Sequence, residues 1–421
     1  MTAPQLLAWI TAALLLQVAA GIAWTLWRRA AVPAGSEPAA APAARSDAAW
    51  SGWREFRVVA REHEDAARTQ CSFHLQPVDG RPLPPFKPGQ FLTFSLDVPQ
   101  REGDGATDGA TDGAAGSRTI TRCYSLSERP DPGQYRVTIK RVPAPPDHPQ
   151  FEPGLSSNHF HDRVQVGDVL RVKAPSGHFF IDPDAAVPAV LIAGGIGVTP
   201  MMSMLRWCLA EQPQRTVHFY YGLRNSAEHA FKAQLEALAA AHPLLRLHVV
   251  YSRPLAADVA GRDYQQRGHV DVELLRRTLP HGRHQFYVCG PPAMMGSLVP
   301  ALAEWGVPLA DLHYEAFGPA SVRLPAAAPA STSPSAAGVE VRFRRSARTV
   351  AWDGRDATLL DFAERHGIAV ESGCRSGGCG SCETRLLEGS VQYERAPDHD
   401  IAAGHCLLCV GRPAEALVLE A

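Results

Sequence analysis

Lysine is nearly missing from this 421-residue chain: only four lysines stand among its 41 basic side chains. Arginine supplies the rest and alanine is abundant, which is a bias of the genome rather than a mark of function. There is no excess of either charge. A formal net charge of −2 removes the basic surplus on which nucleic-acid binding runs. There is also no disulfide framework. Of nine cysteines, an odd count, Cys71, Cys123, Cys208 and Cys289 stand singly, and the other five crowd into 374–409. A reducing compartment with one local metal site fits that distribution. The strict dinucleotide fingerprint G-x-G-x-x-G is absent. The seventeen histidines form no metal-binding pattern. His159 and His161, two apart in an expected helix, face different ways, and all the histidines are read as surface or structural.

Hydrophobic residues make up 45% of the chain and charged residues 20%, an ordinary globular balance. The length is too great for one core and implies several domains. One long uncharged run exists, "LLAWITAALLLQVAAGIAWTLW" at 6–27. As a helix it rises about 33 Å, enough for about 30 Å of hydrocarbon. Trp9, Trp24 and Trp27 lie near its ends and Arg28 and Arg29 follow. A cleaved signal peptide needs a positive start that "MTAPQ" lacks. The expectation is therefore a single-pass transmembrane helix in the inner membrane over 1–29, with the catalytic domains in the cytoplasm.

Composition divides the rest of the chain. Residues 30–50 are a Pro/Ala-rich linker, and 321–337 are a second. Residues 51–185 carry short alternating runs ("REFRVVARE", "QFLTFSL", "YRVTIKRV", "DVLRVKAP") broken by Gly and Pro, the pattern of an antiparallel β-barrel. The repeat "REGDGATDGATDGAAGSR" at 101–118 is expected to be a solvated hairpin extension without chemistry. Residues 186–320 alternate strand and helix, an α/β domain with a parallel sheet. Residues 338–421 mix short strands with one helix, "TLLDFAERHG", an α+β domain.

The stretch "ESGCRSGGCGSC" at 371–382 places Cys374, Cys379 and Cys382 as C-x4-C-x2-C, the plant-type ferredoxin spacing, with a fourth cysteine owed from downstream. Glycines around them let backbone N–H groups approach thiolate sulfur. A zinc knuckle favours paired C-x2-C units, and only 379/382 and 406/409 could pair in that way, leaving Cys374 idle. The tail from this loop to "LLCVGRP" resembles a plant-type 2Fe–2S ferredoxin domain of the β-grasp type over about 80 residues. Two candidates remain for the fourth ligand, Cys406 and Cys409. On one strand, residues three apart point to opposite faces, so both are not expected to reach one iron. The resemblance implies Cys409, with Leu408 before it and a small turn after it.

Three further stretches belong together. "RCYSLSERP" at 122–130 follows "KPGQFLTF" and precedes "PGLSSNHFHDRVQVGDVLRVKAPSGHFFID". "LIAGGIGVTPMM" at 191–202 is a glycine-rich strand-to-helix turn where phosphate can meet backbone N–H groups. "YYGLRNSAEHAFK", "FYVCGPPAMM" and "YEAFGP" come after it in order. Together, over 53–319, they resemble the ferredoxin–NADP reductase superfamily, and most closely the reductase part of flavohaemoglobins. The resemblance implies FAD as the flavin. Arg122 would pair with its phosphate, Tyr124 and Ser125 would contact the ring and ribityl chain, Phe91 would meet the flavin, and Gly154 and Ser157 would hold the pyrophosphate. It implies a nicotinamide dinucleotide on Gly194, Gly195, Gly197, Thr199 and Pro200, with Cys289 and Gly290 beside the nicotinamide. Glu315 and Phe317 would lie against the flavin, the aromatic yielding to the nicotinamide ring. Cys123 fills the variable place of the motif and receives no role. Arg224 and Arg253 could serve a 2′-phosphate, but the preference expected is NADH over NADPH.

The order of parts implies an NAD(P)H-dependent oxidoreductase that passes electrons through FAD and a 2Fe–2S cluster. It resembles the reductase components of oxygenase systems. No Rieske Cys-x-His pair, haem pocket or di-iron histidine box is present, so the terminal reaction belongs to a separate acceptor protein, an oxygenase or desaturase, expected at the membrane. A quinone-reducing membrane dehydrogenase and a non-enzymatic redox sensor are the alternatives.

Overall fold

The structure, a computed structural model, describes residues 50, 52–99, 117–144, 153–184, 186–317 and 338–421 apart from 376, 395 and 398. Residues 48–421 form one compact unit. Residues 30–49 of the first linker, the whole of the second, and residues 101–116 of the repeat lie outside the described residues.

The first sheet is antiparallel, ordered β4-β3-β6-β1-β2-β5. Its strands are β1 (Arg54–His63), β2 (Gln70–Pro77), β3 (Phe91–Pro99), β4 (Ser117–Ser125), β5 (Tyr135–Lys140) and β6 (Val169–Ser176). A bridge between Leu126 and Val137 joins its two edges, which closes the sheet on itself and removes its open edges. The inward faces bury Phe56, Phe73, Phe94, Tyr135 and Val172. Helix α1 (Leu155–Asp162) covers one end by inserting Phe160, which packs edge-on against Phe73 and Phe94. The run 54–62 is a strand as the alternation predicts. β4 is hidden in the sequence, because the polar repeat abuts it.

The second sheet is parallel, ordered β10-β9-β8-β7-β11-β12. Its strands are β7 (Ala189–Gly194), β8 (Val217–Leu223), β9 (Leu245–Tyr251), β10 (Gln266–Arg267), β11 (Gln285–Gly290) and β12 (Leu312–Ala316). β7, β8 and β11 are buried almost throughout, as strands covered on both faces must be. Helices α2 (Val198–Glu211), α3 (Lys232–Ala241), α4 (Val272–Thr278) and α5 (Pro292–Glu304) supply the cover. From α2 come Met201, Met202, Leu205 and Cys208, at helical spacing. From α5 come Met295, Leu298, Val299 and Leu302. Strand order reverses between β7 and β11, and the carboxyl ends of these strands open the crevice where such sheets bind ligands. Helix α3 begins only at Lys232, although the apolar period of "AEHAFKAQLEALAAAH" starts before it, because Phe231 is left-handed at φ 59° and caps it.

The third sheet, ordered β14-β13-β19-β15-β17, has a parallel central pair, β13 (Val339–Phe343) with β19 (Leu417–Leu419). β14 (Arg348–Trp352), β15 (Glu383–Glu388) and β17 (His405–Leu407) flank it, and β16 (Val391–Tyr393) pairs separately with β18 (Gly411–Pro413). Helix α6 (Leu359–Arg365) begins at Thr358, whose hydroxyl accepts from the Asp361 amide, and packs Leu359, Phe362 and Ala363 onto this sheet.

One expectation is corrected. Among the described residues no helix is long and apolar enough to cross a membrane, so the transmembrane architecture and the inner-membrane location do not stand. Length is the physical reason. The longest described helix, α2, has 14 residues and rises about 21 Å against about 30 Å of hydrocarbon. The apolar stretch 6–27 on which the expectation rested lies outside the described residues.

Candidate functional site

A cavity of about 500 Å³ lies where the three sheets meet. The barrel contributes Phe91, Arg122, Tyr124 and Ser125 from the paired strands β3 and β4, and Gly154 and Ser157 from the start of α1. Alternation along β4 sends Arg122 and Tyr124 to one side. Tyr124 is fixed by an edge-on contact with Phe160 at 5.2 Å and a hydrogen bond between its hydroxyl and that of Ser156 at 2.7 Å. Burial pushes the phenol up to about 12. Sequence reasoning missed Ser156, because the family motif marks only Ser157. Ser157 instead donates to the Gly154 carbonyl at 3.2 Å and accepts from the Val142 amide at 3.3 Å, shaping the turn. No side chain caps the N-terminus of α1, so its first N–H groups remain for a ligand. A Cβ on Gly154 would come 2.8 Å from Ser157 Oγ and 2.9 Å from Val142.

The parallel domain closes a second side with Ile196, Thr199, Glu315 and Phe317. Glu315 on β12 sits directly opposite Cys289 on β11. Burial raises its carboxyl to about 8, the nearby Cys374 adding and the Ser125 hydroxyl opposing. Ser125 Oγ and Glu315 Oε2 are buried without a partner of hydrogen-bonding geometry. Buried orphans of this kind call for a ligand, and the polar edge of a flavin ring suits them.

A neighbouring cavity of about 650 Å³ is lined by Gly194, Gly195, Gly290, Arg224 and Glu228. It opens at the β7/β11 switch point. Gly195 turns the chain at φ +51°, and a Cβ on Gly197 would fall 2.2 Å from the Cys289 carbonyl oxygen. Glycine there lets the turn lie against β11. Pro200 is buried inside α2, while the Thr199 hydroxyl donates to the Ile196 carbonyl at 3.1 Å. Cys289 itself is fully buried, and burial holds its thiol well above the usual range. Ile196 and Phe317 line both cavities and stand between them. Arg224 lines the second cavity and Arg253 is not among its lining residues. The Glu228 carboxylate pairs with Lys140 at 2.7 Å and with Arg224 at 3.3 Å.

The iron–sulfur loop closes the first cavity's third side through Gly373, Cys374 and Arg375. Arg375, left-handed at φ 53°, ties the loop to α6 through Asp361 and Glu364. Backbone amides point at sulfur throughout. Gly378 and Cys379 donate to Cys374 Sγ at 3.3 Å, Cys374 and Ser381 donate to Cys379 Sγ at 3.3 and 3.4 Å, and Cys409 donates to Cys382 Sγ at 3.4 Å. The cysteines thus form two contacting pairs, 374 with 379 and 382 with 409. Among the described residues no group of three or more such side chains is placed to hold a single metal ion. Two separate thiolate pairs would suit a two-iron cluster, held by Cys374 with Cys379 and by Cys382 with Cys409, and do not suit one zinc. Cys406 lies on β17 opposite Thr384, buried in the core, and burial pushes its thiol up to about 12. Cys409 is in the turn after that strand. The premise that both share one strand is therefore corrected.

Cys123, left without a role by sequence reasoning, lines the first cavity together with Cys374. No sequence signal could have found this, since the cavity is shared between domains.

Family models match in the same order. Residues 111–181 match an oxidoreductase FAD-binding domain, 191–299 an oxidoreductase NAD-binding domain, and 341–414 a 2Fe-2S iron-sulfur cluster binding domain. The flavohemoprotein of Rhizobium meliloti (strain 1021) is 38% identical over 270 residues, 64% of this chain and 62% of its own length. The chain thus spans about three fifths of the length of the curated relatives it matches. Among solved structures, the flavohem-like FAD/NAD binding domain of nitric oxide dioxygenase from Vibrio cholerae O1 biovar El Tor is 32% identical with a TM-score of 0.52. It covers 63% of this chain and 99% of that one. An intact type IV self-sufficient cytochrome P450 monooxygenase is 26% identical with a TM-score of 0.52, over 88% of this chain and 41% of its own.

Proposed function

The chain belongs to the FAD- and NAD-binding oxidoreductases of the ferredoxin–NADP reductase type, with a C-terminal 2Fe–2S domain, and from that premise we propose that it is an electron-transfer reductase serving a separate oxygenase-type acceptor. One observation carries the reading: the flavin cavity is walled by the nicotinamide domain on one side and by the Cys374 loop on another. When bound, the flavin takes electrons in pairs from nicotinamide and passes them on singly, and the cluster carries one at a time.

The residues take these parts. Arg122 neutralises flavin phosphate, and the open N-terminus of α1 at Gly154 and Ser157 receives the pyrophosphate. Tyr124, Ser125 and Phe91 orient the ring. Gly194, Gly195, Gly197, Thr199 and Pro200 form the dinucleotide turn, with Cys289 and Gly290 at the nicotinamide. Glu315 offers a protonated carboxyl to the ring edge. Phe317 keeps the two cavities apart until the nicotinamide ring takes its place. Cys374, Cys379, Cys382 and Cys409 hold the cluster. The nucleotide is NADH, because Glu228 already engages Arg224 and Lys140 and a 2′-phosphate would have to compete with that carboxylate. The match to a self-sufficient P450 monooxygenase supports an oxygenase as the acceptor class.

Anaerobic stopped-flow mixing with NADH tests this. The flavin band should bleach first and the cluster band second, with cytochrome c reduced only after the cluster. A cluster that stays oxidised while the flavin is reduced would sink the reading.

A further inference from the structure

A third cavity, of about 550 Å³, shares no lining residue with the two cofactor cavities. Arg61, His63, Arg68, Arg141, His161 and Gln165 line it beside one valine, and no carboxylate does. Helix α1 stands between it and the flavin cavity. Gly154, Leu155 and Ser157 at the start of the helix line the flavin cavity, and His161 in its last turn lines this one. At the end of β5, Lys140 and Val142 line the flavin cavity while Arg141 between them lines this one, as alternation along an extended chain requires. By the same rule Arg61 and His63 share one face of β1 and Glu62 takes the other.

Two of the guanidinium forks are held in place. Arg61 donates from Nη1 to Gln165 Oε1 at 2.8 Å and from Nη2 to the His161 carbonyl at 3.0 Å, with its guanidinium over the Phe73 ring. Its Nε–H is buried without a partner. Arg141 donates to Asn158 Oδ1 at 3.1 Å and to Asp162 Oδ1 at 2.6 Å. The third fork is free. Arg68 is exposed in the turn between β1 and β2, left-handed at φ 54°, and its guanidinium makes no hydrogen bond or ion pair among the described residues. The rings of His63 and His161 lie 6.3 Å apart. Among the described residues Asp162 is the one carboxylate paired with any of these arginines, so three cations face one anion. Burial, and after it the charges of Arg68 and Arg61, hold His63 below its usual range. Like charges gathered in this way repel, and a bound anion relieves them. We infer that this cavity is a binding site for a phosphate-bearing small molecule, whose phosphate meets the Arg68 fork and His63 against the fixed forks of Arg61 and Arg141. Guanidinium forks match phosphate oxygens two at a time. The volume suits a small molecule rather than a lone ion, since such sites run to about 300–1,000 Å³. The site serves neither flavin nor dinucleotide and stands apart from the electron path.

Isothermal titration calorimetry tests this with pyrophosphate as the probe, at an ionic strength held constant with chloride. The full chain is used, loaded with FAD and saturated with NAD⁺, so that the phosphate positions of both cofactor cavities are filled. One pyrophosphate should bind per chain. Arg68→Asn removes the free fork and keeps a residue that tolerates the left-handed turn, and His63→Gln replaces an exposed imidazole. Each should weaken binding by about tenfold with flavin content unchanged. Arg246→Gln, an exposed arginine outside the cavity, should leave the affinity as it is. Absence of binding to the parent, or an affinity that neither Arg68→Asn nor His63→Gln alters, would overturn the inference. So would an equal loss in Arg246→Gln, which would mean that pyrophosphate responds to net charge alone. Should Arg68→Asn lose its flavin, the His63→Gln and Arg246→Gln pair decides.

Discussion

Gly378 of the iron–sulfur loop lies against the ring of Phe91 in the flavin cavity: a Cβ on Gly378 would stand 3.2 Å from Phe91 Cζ and 2.9 Å from Ser176 Oγ. Ser176 and Phe91 are themselves cross-strand partners. The loop that holds three cluster cysteines therefore seats on the aromatic that lines the flavin site, and the absence of a side chain sets how close it comes. Gly378→Val should lift the loop, and cytochrome c reduction should fall at least tenfold while ferricyanide reduction by the flavin persists. Equal loss of both activities would mean that the flavin domain itself had been damaged.

Arg122→Ala should weaken flavin retention. It removes a charge-assisted contact to phosphate, worth about 1.5–3 kcal/mol, which is roughly one to two decades in dissociation constant. Fluorescence of released flavin on dilution measures this, and unchanged retention would remove Arg122 from the site.

Glu315 predicts a pH dependence of stability. Its carboxyl is raised in the fold from 4.5 to about 8. Between those values the unfolded chain has lost this proton and the folded chain keeps it, so the unfolded state binds fewer protons and stability falls as pH rises. Above about 8 the contribution levels off. Glu315→Gln should flatten the decline in urea midpoint between pH 5.5 and 8.5. An undiminished decline would show that this carboxyl ionises normally.

Glu228→Gln should shift nucleotide preference toward NADPH. Freed from the carboxylate, Lys140 and Arg224 become available to a 2′-phosphate. The ratio of kcat/KM for NADPH over NADH should rise by about tenfold, ~1.4 kcal/mol. A ratio that does not move would place the 2′-position elsewhere in the cavity.

Cys409→Ser should abolish or strongly perturb the 2Fe–2S spectrum and leave the flavin band, whereas Cys406→Ser should leave both. Cys409 is paired with Cys382, and Cys406 is a core thiol on β17. Bleaching by Cys406→Ser alone would exchange their roles.

Much of this was legible in sequence because it is local. Alternation marks β1, β3, β5 and β6, helical period marks α2 and α5, and the spacing of Cys374, Cys379 and Cys382 is a property of one loop. The motif residues Arg122, Tyr124, Glu315 and Phe317 reach one cavity because each is fixed to its strand or strand end. Tertiary structure decided what depends on which surfaces meet. Whether Cys406 or Cys409 faces Cys382 depended on where β17 ends and its turn begins. Phe231 breaks a helix whose periodicity runs on through it, since the chain there must bond back to Glu64 of the barrel. Glu228 gains its place from Lys140, 88 residues away. Cys123 and Cys374 line one cavity because two domains pack together there. A sequence records spacing along one chain, and contacts between surfaces far apart in it leave no periodicity to read.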